Sequence, residues 1–256
     1  MVKKSNKKKM PKNSKQHFHS LQSDNALKSK VLNPDCNKLQ RKKKFDKKEL
    51  IPIFIIFIMF SIGIFLYDKM PEQMPTHWNF EGEIDGYGSK FTGLLLMPII
   101  TLGIYLLMSA IPYIAVYKKN IKAFYFYYFG FKIMFIVYML ILYILTLLPN
   151  FDIMINMNYV IMPLVAIILF FSGFLMEKSK RNYFIGIRTP WTLSSDKVWN
   201  ETHKVGAKGF KLIAIIMFIS AFIGKCAIIF SVAVLIGFVV VIFVYSYLLF
   251  KKEKLN

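Results

Sequence analysis

The feature that most constrains this chain is its series of long apolar runs, separated by short polar segments. Several run to about 18 residues or more, enough to cross roughly 30 Å of hydrocarbon as helix. In lipid every backbone polar group must be satisfied internally, so only helices and closed barrels can span it. The runs lack the strict alternation of a barrel strand. At 55% hydrophobic and 16% aromatic residues, the composition excludes an ordinary soluble domain. The fold class read from these runs is all-α: a polytopic helical membrane protein with about six transmembrane helices.

Charge sets the expected order of sides. The net charge is +20, and residues 1–49 hold sixteen Lys or Arg against four Asp or Glu, a net +12. Apolar runs at about 50–67, 91–117, 123–148, 159–176, 212–224 and 226–250 are joined by segments that alternate between basic and neutral or acidic. Segment 68–90 has a net charge of −3, whereas loop 177–211 has a net charge of +5. The positive-inside bias then puts both termini in the cytoplasm. No small-residue cleavage pattern follows the first run at Tyr67-Asp68-Lys69-Met70, so that run is read as a signal-anchor. The short fifth run, bounded by Lys211 and Lys225, is either a snorkelled span or one arm of a re-entrant hairpin.

Three regions follow. Residues 1–48, rich in Lys, Asn, Ser and Gln, form a basic cytoplasmic tail expected to be disordered. Its cluster Arg41-Lys42-Lys43-Lys44 next to the first span suits anionic lipid. No nucleic acid is expected as a partner, because the tail offers only Phe18 and Phe45 for base stacking. A first membrane region covers 50–148 with an extracytoplasmic loop at 68–90, and a second covers 159–250 with a cytoplasmic loop at 177–211. Cys36 and Cys226 fall on opposite sides in this topology, so no disulfide is expected. Lys132 lies two to three turns into the third span. It is either a lysine snorkelling to the interface or a buried cation facing a polar cavity.

Two polar segments carry the specific residues. The outer one reads Met74-Pro75-Thr76-His77-Trp78-Asn79-Phe80-Glu81-Gly82-Glu83-Ile84-Asp85-Gly86-Tyr87-Gly88-Ser89-Lys90. Its glycines suggest tight turns, and the pattern allows a short strand or hairpin. Candidate residues here are Pro75, His77, Trp78, Gly82, Asp85 and Tyr87. One histidine with scattered acids falls short of the three or four ligands of a zinc site, so no metal or other cofactor is expected.

The inner segment, 182–203, holds Trp191 and Trp199, two of the three tryptophans, with Arg188 and His203. Gly186 permits an unusual backbone angle, and Pro190 forces Thr189 out of the α region. Ser194 is a plausible N-cap for an amphipathic helix over 195–205. Such a helix places Val198, Trp199, Thr202 and Val205 on one face, with Trp199 and His203 one turn apart and able to stack. Lys197 with Glu201 and Glu201 with Lys204 are at spacings that allow weak pairing. Asp196 and His203 are two turns apart, too far for the bond that orients a catalytic base. No nucleophile elbow, phosphate-binding glycine loop or HExxH occurs, and no enzymatic activity is expected.

Residues Gly186-Ile187-Arg188-Thr189-Pro190-Trp191-Thr192 through Val198-Trp199-Asn200-Glu201-Thr202-His203 resemble the signature of the SdpI-type family of bacterial toxin-immunity membrane proteins. Segment 74–90 looks like the uncharacterised domain that often precedes this signature in longer members. Together the likeness covers roughly 50–250. It implies resistance to a secreted peptide toxin and, as in the best-known member, recruitment of a cytoplasmic transcriptional repressor to the membrane. The signature positions carried over are Asn182, Gly186, Ile187, Arg188, Thr189, Pro190, Trp191, Thr192, Val198, Trp199, Thr202 and His203. The alternative is a transporter or lipid-interacting protein, with Pro98, Pro112 and Pro163 breaking spans to form a cavity.

Overall fold

The computed structural model describes residues 46–79 and 81–255. The tail over 1–45, with the basic cluster, Cys36 and the expected disorder, lies outside the described residues. The elements in order are α1 (Leu50–Leu66), β1 (Gln73–Trp78), β2 (Ile84–Ser89), α2 (Met97–Ile114), α3 (Lys118–Ala123), α4 (Tyr125–Leu147), α5 (Asn158–Lys178), α6 (Pro190–Ser194), α7 (Asp196–Ser220) and α8 (Lys225–Leu255). A π-helical turn at Thr92–Leu96 leads into α2, and a 3₁₀ turn at Leu148–Phe151 follows α4.

Among the described residues five stretches are long and apolar enough to cross a membrane: Lys47–Leu66, Thr92–Ile114, Tyr125–Phe151, Asn158–Lys178 and Lys225–Leu255. Their outward faces carry exposed Phe, Ile, Leu and Val, which in lipid is the favourable arrangement. The chain is a polytopic helical membrane protein.

α7, which is not among those five, also runs from one end of the bundle to the other. The amphipathic segment expected at 195–205 and the short apolar run at 212–224 are not separate elements; α7 is one helix of 25 residues. Its start lies beside Ser179, whose carbonyl accepts from Trp199 Nε1 at 3.3 Å. The turn beyond its end leads to Lys225, which forms an ion pair with Glu81 in the β1–β2 connection. A re-entrant hairpin would bring residue 225 back to the start of α7, so the geometry contradicts that alternative. The apolar run at 212–224 is thus lengthened by helical turns that come from the polar loop.

The bundle therefore has a hairpin end and a loop end. At the hairpin end β1 and β2 pair antiparallel, Gln73 opposite Ser89 and Trp78 opposite Ile84, with bulges around His77. Beneath them Met59, Met70, Met74, Leu94, Tyr143 and Leu147 form one buried cluster. Tyr143 also donates to the Leu94 carbonyl at 3.0 Å, inside the break that the π turn makes in the backbone ladder. At the loop end Ile111, Ala115, Ile121, Phe124, Tyr128 and Leu175 form a second cluster, against which Phe184 and Ile185 pack. The most extensive helix contact is α5 with α7. There Gly173 lies so close that a Cβ would stand 2.9 Å from the Ala207 carbonyl. Small residues at such crossings let helix backbones approach in lipid.

Lys132 does not snorkel. It is 1% exposed, and its Nζ lies 2.6 and 2.7 Å from the two carboxylate oxygens of Glu49, the residue just before α1. Ser109 Oγ accepts a further hydrogen bond from Lys132 Nζ at 3.2 Å, and the Tyr105 hydroxyl donates to Glu49 at 3.2 Å. The rings of Phe129 and Tyr105 lie 4.8 and 5.3 Å from the ammonium. It is the buried cation of the two readings, held by a polar cluster rather than facing an open cavity.

Candidate functional site

The segment between α5 and α7 is built by side chains that bond to its own backbone. Asn182, fully buried, uses both ends of its amide. Its Oδ1 accepts from the amides of Phe184 and Ile185 at 2.8 and 2.7 Å, and its Nδ2 donates to the carbonyls of Lys180 and Ile185 at 2.8 and 3.0 Å. That saturates an asparagine and folds residues 180–185 into a tight bend. Gly186 follows at φ +113°, and a Cβ there would stand 2.3 Å from His203 Nε2.

Thr189, extended as the proline after it requires, caps α6. Its Oγ1 accepts from Thr192 N at 3.2 Å, while Thr192 Oγ1 accepts from Thr189 N at 2.9 Å and donates to the Ile187 carbonyl at 2.8 Å. This is a capping box made by two threonines. Ser195, not Ser194, is the N-cap of α7, accepting from Val198 N at 3.3 Å. Ser194 instead bonds back to the Pro190 carbonyl at 2.6 Å. The shift by one residue follows from α6, a short helix that sequence patterning did not anticipate and that occupies 190–194.

Trp199 and His203 stack as expected, ring centroids 3.9 Å apart and planes 18° from parallel. Burial pushes the His203 imidazole down to about 4, only partly countered by the Trp199 carbonyl that accepts from its Nδ1. The neutral ring therefore has a free Nε2, which accepts from Ile187 N at 3.0 Å. Asp196 points elsewhere, to Arg181 Nε at 2.8 Å, so histidine and aspartate serve separate roles. Val198 and Thr202 are buried beside them, whereas Val205, expected on the same face, is exposed. Among the described residues no ion pair joins Glu201 to Lys197 or Lys204.

Of the expected inner-loop residues, Asn182, Thr189, Thr192, Val198, Trp199, Thr202 and His203 are buried. They are scaffold. Arg188 and Pro190 are exposed, and Trp191 is half-buried. Arg188 Nη1 donates to the Tyr183 carbonyl at 2.7 Å, and the Tyr183 ring stacks on Tyr117 at 5.4 Å. Trp191 lies against Phe243 and Tyr247 of α8, at centroid distances of 5.0 and 5.1 Å. Beneath the loop a cleft of about 390 Å³ opens between α2, α4 and α5, lined by Met108, Ile111, Phe131, Leu175, Phe184 and Ile185.

The outer residues gather at the other end. Pro75 is buried opposite Tyr87, which is 62% exposed. His77 Nδ1 lies 2.5 Å from Asp85 Oδ1, an exposed pair across the hairpin. Trp78, half-buried, is opposite Ile84. Gly82 turns the chain at φ +81° against Asn156, whose Nδ2 donates to the Glu81 carbonyl at 2.9 Å. Among the described residues no group of three metal-ligating side chains occurs.

Glu49, Ser179, Asn156 and Ser246 were not singled out from sequence. Glu49 and Ser246 had a usable signal, a polar residue at the edge of or within an apolar run; the other two were ordinary loop residues.

The model of the SdpI/YfhL protein family matches residues 178–247, and that of DUF1648, a domain of unknown function, matches 54–102. The immunity protein SdpI of Bacillus subtilis (strain 168) is 30% identical over 213 residues, covering 80% of this chain and 97% of that protein. No solved structure matches.

Proposed function

The chain belongs to the SdpI/YfhL family, and on that premise we propose that it is a membrane immunity protein conferring resistance to a secreted peptide toxin. The observation that carries this reading is the likeness to an immunity protein over nearly that protein's whole length, signature loop included. The family likeness suggests a non-enzymatic role. In the bacterial cell membrane the hairpin faces outward and the loop end faces the cytoplasm, consistent with its lysines at 118, 119, 122, 178 and 180. Toxin is met at the hairpin or in the bilayer. The loop reports it by offering Arg188, Tyr183 and Trp191 to a cytoplasmic transcriptional repressor, while the buried threonines, asparagine and histidine hold that face in shape. The basic tail adds attraction to anionic lipid. Such coupling requires toxin to bind two states of the bundle unequally.

A transporter or lipid-interacting role is less well supported. Pro112 and Pro163 sit inside continuous helices, and Pro98 lies in the first turn of α2, so none opens a broken-helix cavity.

The test is expression of the full chain in toxin-sensitive cells, challenged with a panel of secreted membrane-active peptides. Survival above cells carrying an empty vector, for at least one peptide, is the expected result. Equal killing across the panel, with the protein present in the membrane, would overturn the reading.

A further inference from the structure

α8 touches both candidate regions through polar side chains at its two ends. Its 31 residues give a rod of roughly 46 Å at 1.5 Å per residue. At its first residue, Lys225 pairs with Glu81 of the hairpin connection. Toward its other end Ser246 Oγ lies 3.0 Å from Thr189 Oγ1, and Phe243 and Tyr247 flank Trp191.

Between those ends α8 packs along α7, with Val234, Leu235 and Phe238 against Leu169, Ile213 and Ala214. Its buried residues are Ile228, Ser231, Ile242 and Ser246, two of them serines. Ser231 meets Ser220 of α7 at 3.1 Å, and the Phe238 ring lies over Gly209, where a Cβ would stand 2.0 Å from Phe238 Cζ. In lipid there is no hydrophobic drive between helices, and interhelical hydroxyl bonds are individually modest. A continuous helix with polar contacts at both ends carries a displacement of one end to the other as a rigid body.

The Glu81–Lys225 link is itself exposed to competition. Both side chains are about half exposed, and the segment that carries Glu81 has a net charge of −3. The hydrogen bond from Lys225 holds the Glu81 carboxyl below its ordinary range, so it stays a carboxylate that a second cation can take.

We propose that α8 is the transmission element between hairpin and loop. A cationic group that takes Glu81 from Lys225 frees the start of α8, and the shift of the rod undocks Trp191 and Thr189 at its other end. The inference deepens the immunity reading by naming how the loop is regulated, and it rests on that reading for its purpose.

The experiment needs no toxin, so it fails or succeeds independently of resistance. Full-length protein labelled with 5-fluorotryptophan is placed in nanodiscs, and the three ¹⁹F resonances are assigned by Trp78→Phe, Trp191→Phe and Trp199→Phe. Glu81→Gln and Lys225→Met are each expected to shift the Trp191 resonance while leaving Trp199, which is held by α5 and α7, in place. The exchanged pair Glu81→Lys with Lys225→Glu is expected to return Trp191 to the parent position. An unmoved Trp191 in both single variants overturns the proposal. So does a Trp199 that moves equally, which means general loosening, or an exchanged pair that does not restore the parent signal.

Discussion

His203 Nε2 accepts a hydrogen bond from the backbone amide of Ile187 at 3.0 Å, sixteen residues away in sequence. The bond exists only with a neutral ring, because a proton on Nε2 would confront the amide hydrogen. The folded imidazole titrates at about 4 against an ordinary 6.5. A histidine depressed on folding contributes stability that is complete above about 6.5 and is lost as pH falls toward 4. The full effect is on the order of 3 kcal/mol. Trypsin cleavage of the loop at Arg188 should therefore accelerate between pH 6.5 and 4 when corrected for protease activity. A His203→Gln variant should be weaker at neutral pH and should lose that dependence.

Gly186 is needed for both its backbone angle and its lack of a side chain. At φ +113°, with a Cβ 2.3 Å from His203 Nε2 and 3.2 Å from Trp199 Cζ2, alanine would be strained and would push the stacked pair apart. Gly186→Ala should cost roughly 1–3 kcal/mol from backbone strain alone. The expected readout is a lower thermal midpoint and a red-shifted Trp199 emission. Gly103→Ala, in open space on α2, should change neither.

The Lys132–Glu49 pair should show the asymmetry of buried ions. Removing one partner leaves the other uncompensated, at a cost of about 3–5 kcal/mol, whereas removing both is far milder. Lys132→Met and Glu49→Gln should each lower the thermal midpoint in detergent, and the double variant should recover part of the loss. Strictly additive losses would show that the two side chains act separately.

The course of α7 from the loop end to the hairpin end makes a topological prediction. In a Cys36→Ser, Cys226→Ser background, Lys225→Cys and Tyr87→Cys should react with an impermeant thiol reagent from the same face of intact cells. Lys197→Cys should react only after permeabilisation. Protection of Lys225→Cys would return α7 to a re-entrant arrangement.

The spans were legible because lipid admits so few backbone solutions that run length and lysine placement nearly determine them. The Trp199–His203 stack was legible because helical spacing alone brings positions four apart together. The scaffold role of Asn182, Thr189 and Thr192 was not: a polar residue in a loop reads the same whether it bonds to its own backbone or faces water. What Ser246 and Glu49 bond to was hidden for a related reason. Their partners, Thr189 and Lys132, are 57 and 83 residues away, and no local period points across such distances.

The central claim is that the exposed part of the signature loop carries the response while its buried part only shapes it. The most direct measurement is survival of toxin-challenged cells expressing the parent, Arg188→Ala, Trp191→Ala or Trp199→Ala chain at matched membrane levels. The account predicts that Arg188→Ala and Trp191→Ala lose protection with the loop still protease-resistant, and that Trp199→Ala loses protection together with that resistance. Protection equal to the parent in all three would contradict it.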